Sequence, residues 1–145
     1  MNNGGEAIIS TPISTMNDKE NIILNRCMNF SVRIIKLRTY LTNEKHEYDI
    51  SKQLLRSGTS IGANLNEAQA AVSKRDFISK AGISLKESRE SLYWIELLSR
   101  AELINQTQYE SLKQDCEEII KLITSIIKTS KQNLASEEMI AKLKQ

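Results

Sequence analysis

An apolar residue at every third or fourth position, sustained in four blocks between residues 18 and 130, is the feature that most constrains this chain. A period near 3.5 commits the backbone to helix and gives each helix one buried seam. The first block, from Asn17 to about Leu41, carries Ile23, Cys27, Phe30, Ile34, Leu37 and Leu41, alternating steps of four and three. It opens on Asn17-Asp18-Lys19-Glu20, a polar cap with a Glu three residues on. The second block, from about Glu47 to Val72, carries Leu54, Gly58, Ile61, Leu65, Ala68 and Val72. Ser73-Lys74-Arg75-Asp76 is a fresh cap, and Ile78, Ala81, Leu85, Ser88, Leu92 and Ile95 follow in a third block that reaches about Ala101. A capping box at Thr107-Gln108-Tyr109-Glu110 starts the fourth, whose seam of Tyr109, Leu112, Cys116, Ile119, Ile123 and Ile126 fades at Ser130. One Pro and five Gly leave too little turn punctuation for a many-stranded β fold.

Four amphipathic helices of similar length on short connections predict an all-α, antiparallel up-down-up-down four-helix bundle over residues 18–131. Residues 1–17 hold the only Pro and no sustained period, and are expected to be a flexible N-terminal tail. Residues 132–145 are expected to be a polar C-terminal tail, or a short helix beginning near Ser136.

Twenty Lys+Arg against eighteen Asp+Glu give a formal charge of +2, too balanced for a protein that coats DNA along its whole surface. No apolar run approaches the roughly 20 residues of a membrane-spanning helix. The N-terminus lacks the basic start and apolar block of a secretory signal, so no membrane partner is expected and the cytoplasm is the expected location. Cys27 and Cys116 fall on helix seams with no CxxC and no histidine partner pattern, which predicts two reduced core thiols.

The run Arg56-Ser57-Gly58-Thr59-Ser60-Ile61-Gly62-Ala63-Asn64, then Glu67-Ala68, Ser73-Lys74-x-Asp76-Phe77 and Lys86-Glu87-Ser88-x-Glu90-x-x-Tyr93-Trp94, closely resemble one family. It is that of the small four-helix-bundle proteins found in intervening sequences of bacterial large-subunit rRNA genes. The accessory variability determinant of diversity-generating retroelements is a distant relative by fold. The resemblance covers roughly residues 27–130. It implies a subunit of a homopentameric barrel. The retroelement relative further suggests binding of nucleic acid and of a reverse transcriptase through a basic surface.

Each constellation in the sequence has a bland and a sharp reading. Gly58-Thr59-Ser60-Ile61-Gly62 lacks the Lys-Ser/Thr ending of a phosphate-binding loop and lies inside a helical period. Gly58 and Gly62, one turn apart, instead predict close helix packing, which would offset the roughly 1 kcal/mol that each glycine costs a helix. Ser57, Thr59 and Asn64 are expected to supply hydrogen bonds where two helices meet. Lys86 and Glu90 are four apart and face each other on one helix. With Arg56, Glu67 and Trp94 they are assigned structural or interface roles. Glu87 and Glu90 do not make a di-metal site, which needs Glu-x-x-His on two helices, and the only histidine, His46, lies in a loop. No catalytic residue, metal or cofactor is expected.

Residues 21–72 hold seven basic against four acidic side chains. Arg26, Arg33 and Lys36 lie near one helix face, Lys52 stands on the second helix, and Lys74 and Arg75 open the third. A surplus that is modest in one subunit becomes a strong field when repeated around a ring. These six residues are therefore the predicted contacts to RNA or DNA, bound through its backbone. The alternative is a protein-only scaffold, such as an accessory subunit of a reverse transcriptase. It would dock through the acidic patch Asp115, Glu117 and Glu118 or the Lys/Glu-rich C-terminal tail.

Overall fold

The computed structural model describes residues 18–145 as four helices, α1 (Asp18–Glu44), α2 (Asp49–Ala68), α3 (Lys74–Arg100) and α4 (Gln106–Leu143), with no strand among them. The expected tail of residues 1–17, with the Asn17 cap, lies outside the described residues. Side-chain contacts fix the directions. Gly58 faces Ile34 while Gly62 faces Cys27, so α1 and α2 run antiparallel. Ser84 bonds Ile61 and Ser91 bonds Ser57, which opposes α3 to α2. Arg26 meets Glu118 and Arg33 meets Asp115, which opposes α4 to α1 and closes the bundle.

All six predicted seam residues of α1 are buried, as are the first five of α2. Val72 is 93% exposed, because α2 ends at Ala68, before reaching it. Ser73 then caps α3, its side chain accepting from the Asp76 amide at 3.0 Å. The cap of α4 sits two residues earlier than expected. Asn105 accepts from the Gln108 amide and the Gln108 side chain accepts from the Asn105 amide, at 2.8 and 2.9 Å, in place of the Thr107 box.

The inner face of α3 differs from its predicted seam. The buried residues are Ala81, Ser84, Ser88, Ser91, Ile95 and Leu98, and Ile78, Leu85 and Leu92 move to half-buried flanks. Ser84 and Ser91 occupy the part of this face that meets α2, where each hydroxyl bonds the facing helix. Ser84 Oγ donates to the Ile61 carbonyl at 2.7 Å, and Ser91 Oγ donates to Ser57 Oγ at 2.9 Å. Such bonds remove the penalty of burying a hydroxyl, and among the described residues no buried side-chain N or O lacks a partner.

The fourth helix does not fade at Ser130. It continues unbroken to Leu143, beyond the last buried residue, Ile126. No Gly or Pro interrupts residues 106–143, and Ala135, Glu137, Glu138, Met139, Ala141 and Lys142 are strong helix formers. Two ion pairs to the start of α3, Lys74–Glu137 at 2.5 Å and Arg75–Glu138, hold the extension in place.

Candidate functional site

Small residues on α2 set how closely the bundle packs. A Cβ added at Gly58 would stand 3.0 Å from Ile34 Cγ1, and one at Gly62 would stand 3.1 Å from Cys27 Cβ and 3.7 Å from its backbone carbon. Both glycines therefore admit α1, and the expected close approach is present. Of the three predicted bridging side chains only Ser57 bonds across helices. Thr59 donates to the Leu55 carbonyl at 2.7 Å and Asn64 to the Ser60 carbonyl at 2.8 Å, both within α2. The run is helix interior throughout, with no loop to cradle a phosphate.

On the outer side of the α2–α3 pair, the Arg56 guanidinium bonds Glu90 and lies 3.2 Å from both oxygens of Glu87. Glu90 therefore takes its partner from α2, whereas Lys86 is exposed and has no carboxylate partner among the described residues. A forked guanidinium that bridges two carboxylates outcompetes a single ammonium on the same helix. The hydrogen bond from Arg56 holds the Glu90 carboxyl below the usual carboxylate range, against an upward push from desolvation. The same bond, reinforced by Glu87, raises the Arg56 pKa. Trp94 Nε1 donates to Glu90 at 3.4 Å, and its ring meets Tyr93 edge to face at a centroid distance of 5.1 Å. Glu67 is exposed near the end of α2.

Four of the six predicted nucleic-acid contacts already hold carboxylates, all from α4: Arg26–Glu118, Arg33–Asp115 at 2.7 Å, Lys74–Glu137 and Arg75–Glu138. The acidic patch and the tail that sequence offered as partner surfaces are thus engaged within the chain, and Glu117 lies 3.9 Å from Lys113. Lys36 and Lys52 are exposed with no carboxylate partner among the described residues.

One surface escaped the sequence reading. Outside its buried seam, α1 carries a second stripe of Leu24, Met28, Val32 and Ile35, of which Met28 is 65% and Ile35 51% exposed. The stripe continues over Thr39 and Thr42 and joins Leu55 and Thr59 of α2 in a shallow groove of about 500 Å³. No carboxylate lines it. A second period of fours and threes, one or two residues behind the first, was the available signal.

Cys27 and Cys116 are free and buried between α1 and α4, and burial pushes both thiols up to about 12. Among the described residues no three His, Cys, Asp or Glu side chains gather where they could hold a metal. No helix there is long and apolar enough to cross a membrane.

Comparison places this geometry among known proteins. A family model described as 23S rRNA-intervening sequence protein matches residues 19–125. The chain is also similar to a crystal structure from Bacteroides thetaiotaomicron, a protein of unknown function from the S23 ribosomal protein family. The identity is 53% and the TM-score 0.75, over 76% of this chain and 98% of that one. No curated protein matches.

Proposed function

The chain belongs to the 23S rRNA-intervening sequence protein family, and from that premise we propose that it works in the cytoplasm as a homo-oligomeric binding protein. On this reading it is a non-catalytic adaptor whose ligand is RNA or another nucleic acid. The observation that supports assembly is the stripe of Met28, Val32 and Ile35, which a lone bundle leaves in water. A contiguous exposed apolar patch marks an interaction site, and a second copy of the chain is the occupant we assign to it. Five copies closing into a ring, the assembly suggested by the family resemblance, repeat every surface cation five times.

Of the six predicted contacts, Lys36 and Lys52 are the two with no carboxylate partner among the described residues, so they contribute most of that set's field to a polyanion. The four paired cations add little at long range. Exposed ion pairs are worth only about 0–1 kcal/mol, however, so phosphates can replace the α4 carboxylates on contact. The pairing itself favours a second reading, a protein-only adaptor such as an accessory subunit of a reverse transcriptase.

Native mass spectrometry of the full chain, purified at moderate salt without nuclease, separates these readings. Five chains carrying nuclease-sensitive mass are expected. Five clean chains favour the protein-only adaptor, and a lone subunit refutes the assembly. Val32→Lys with Ile35→Lys should convert the oligomer to monomers while leaving helicity unchanged.

A further inference from the structure

The extension of α4 beyond the bundle has a face that nothing in the fold uses. From Lys131 to Leu143 the helix projects about 20 Å at 1.5 Å per residue, and the family match has already ended at residue 125. Its two carboxylates, Glu137 and Glu138, are held by Lys74 and Arg75 of α3. Away from that contact stand Met139, Ile140 and Leu143, which are 66%, 52% and 80% exposed. At about 100° per residue these three share one face, and Lys142 and Lys144 flank it on either side. Neither lysine has a carboxylate partner among the described residues, nor do Lys128 and Lys131.

We propose that this extension is a docking helix, whose Met139, Ile140 and Leu143 enter an apolar groove on a partner protein rimmed with Asp and Glu side chains. Charge selects the occupant. With its own carboxylates engaged, the extension presents only cations, so two extensions lying side by side would repel, and the α1–α2 groove of a second copy, lined by Arg38 and no carboxylate, offers them no counter-charge. A nucleic acid would answer the lysines but leave the apolar face in water. A membrane surface would require a longer apolar stripe than three residues. An amphipathic helix laid into a groove uses anchors at this i, i+3, i+4 spacing. The two ion pairs to α3 hold the helix in its bound form beforehand, which reduces the ordering cost of binding.

The test uses the full chain with benzoylphenylalanine in place of Ile140, irradiated in its native cells, with the crosslinked peptides sequenced. The expected product is one partner protein, joined at an apolar segment that also carries Asp or Glu. That purified partner should bind the unsubstituted chain, and its affinity should fall about tenfold or more with Met139→Ser/Leu143→Ser and with Lys142→Glu/Lys144→Glu. The melting temperature should stay unchanged, because none of these residues touches the core. Crosslinks to a second copy, to lipid or to RNA, or no crosslink at all, would overturn the proposal. So would an affinity that both variants leave intact. Native mass spectrometry of the same variants reads the assembly separately, so failure here leaves the oligomer standing.

Discussion

Glu90 accepts hydrogen bonds from Arg56 across the helix pair and from Trp94 one turn along its own helix. A carboxyl whose folded pKa is depressed stabilises the fold above its unfolded value, and that contribution is lost as pH falls through the folded value. Arg56→Gln should therefore weaken the protein at neutral pH and flatten its loss of stability on acidification. Chemical denaturation at a series of acid pH values measures this, and parallel curves for parent and variant would show that the pair contributes nothing. The thiols shift in the opposite sense. Burial favours the neutral form, and a thiolate is what reacts. At about pH 8 the folded protein should resist an aromatic disulfide reagent, and both cysteines should react once denaturant unfolds it. Fast labelling of the native chain would mean that the α1–α4 seam opens locally.

At the scale of helices, the glycines of α2 and α3 make opposite predictions. Gly82 has nothing within 4 Å of an added Cβ, so Gly82→Ala should raise stability by about 0.5–1 kcal/mol through helix propensity alone. Gly58→Leu must drive four carbons into Ile34 and should lower stability by at least about 2 kcal/mol, overpacking that the propensity gain cannot offset. Thermal melts of the two variants check the pair, and equal melting temperatures would end the close-packing argument. The same contacts explain which elements were legible in sequence. Large apolar residues fill the α1 seam, so its period named every buried position. On α3 the period names Ala81, Ser88 and Ile95 correctly but also points to Ile78, Leu85 and Leu92, whereas the face toward α2 buries Ser84 and Ser91 instead. Hydropathy counts serine as polar, and only the partner helix reveals it as a fitted core residue. The end of α4 is hidden from sequence for a related reason: its apolar seam stops at Ile126, but helix persists where no residue breaks it and side chains anchor it. Arg56 was legible as an interface residue, but its choice of Glu87 and Glu90 depends on how α2 and α3 are rotated, which no local spacing records.

For the molecule as a whole, the distribution of charge matters more than its sum. The net charge is only +2, and α4 pairs with Arg26 and Arg33 of α1 and Lys74 and Arg75 of α3, four of the six cations on which a polyanion site would rest. On the proposed nucleic-acid reading, the acids of α4 would therefore control affinity. Asp115→Asn with Glu118→Gln would release Arg33 and Arg26 while leaving every cation in place. If the assembled protein binds RNA through its backbone, this variant should bind more tightly and show a steeper fall of affinity with salt, because each freed cation displaces a counterion from the strand. Lys36→Glu with Lys52→Glu should do the reverse, weakening binding and flattening the salt dependence. Fluorescence anisotropy with a labelled single-stranded RNA across a salt series measures both. An RNA-binding ring requires the two pairs of substitutions to move affinity in opposite directions. If neither moves it, the cations are a solvated face and the nucleic-acid reading falls. If both weaken it, the α4 carboxylates hold the binding surface in shape rather than competing for it.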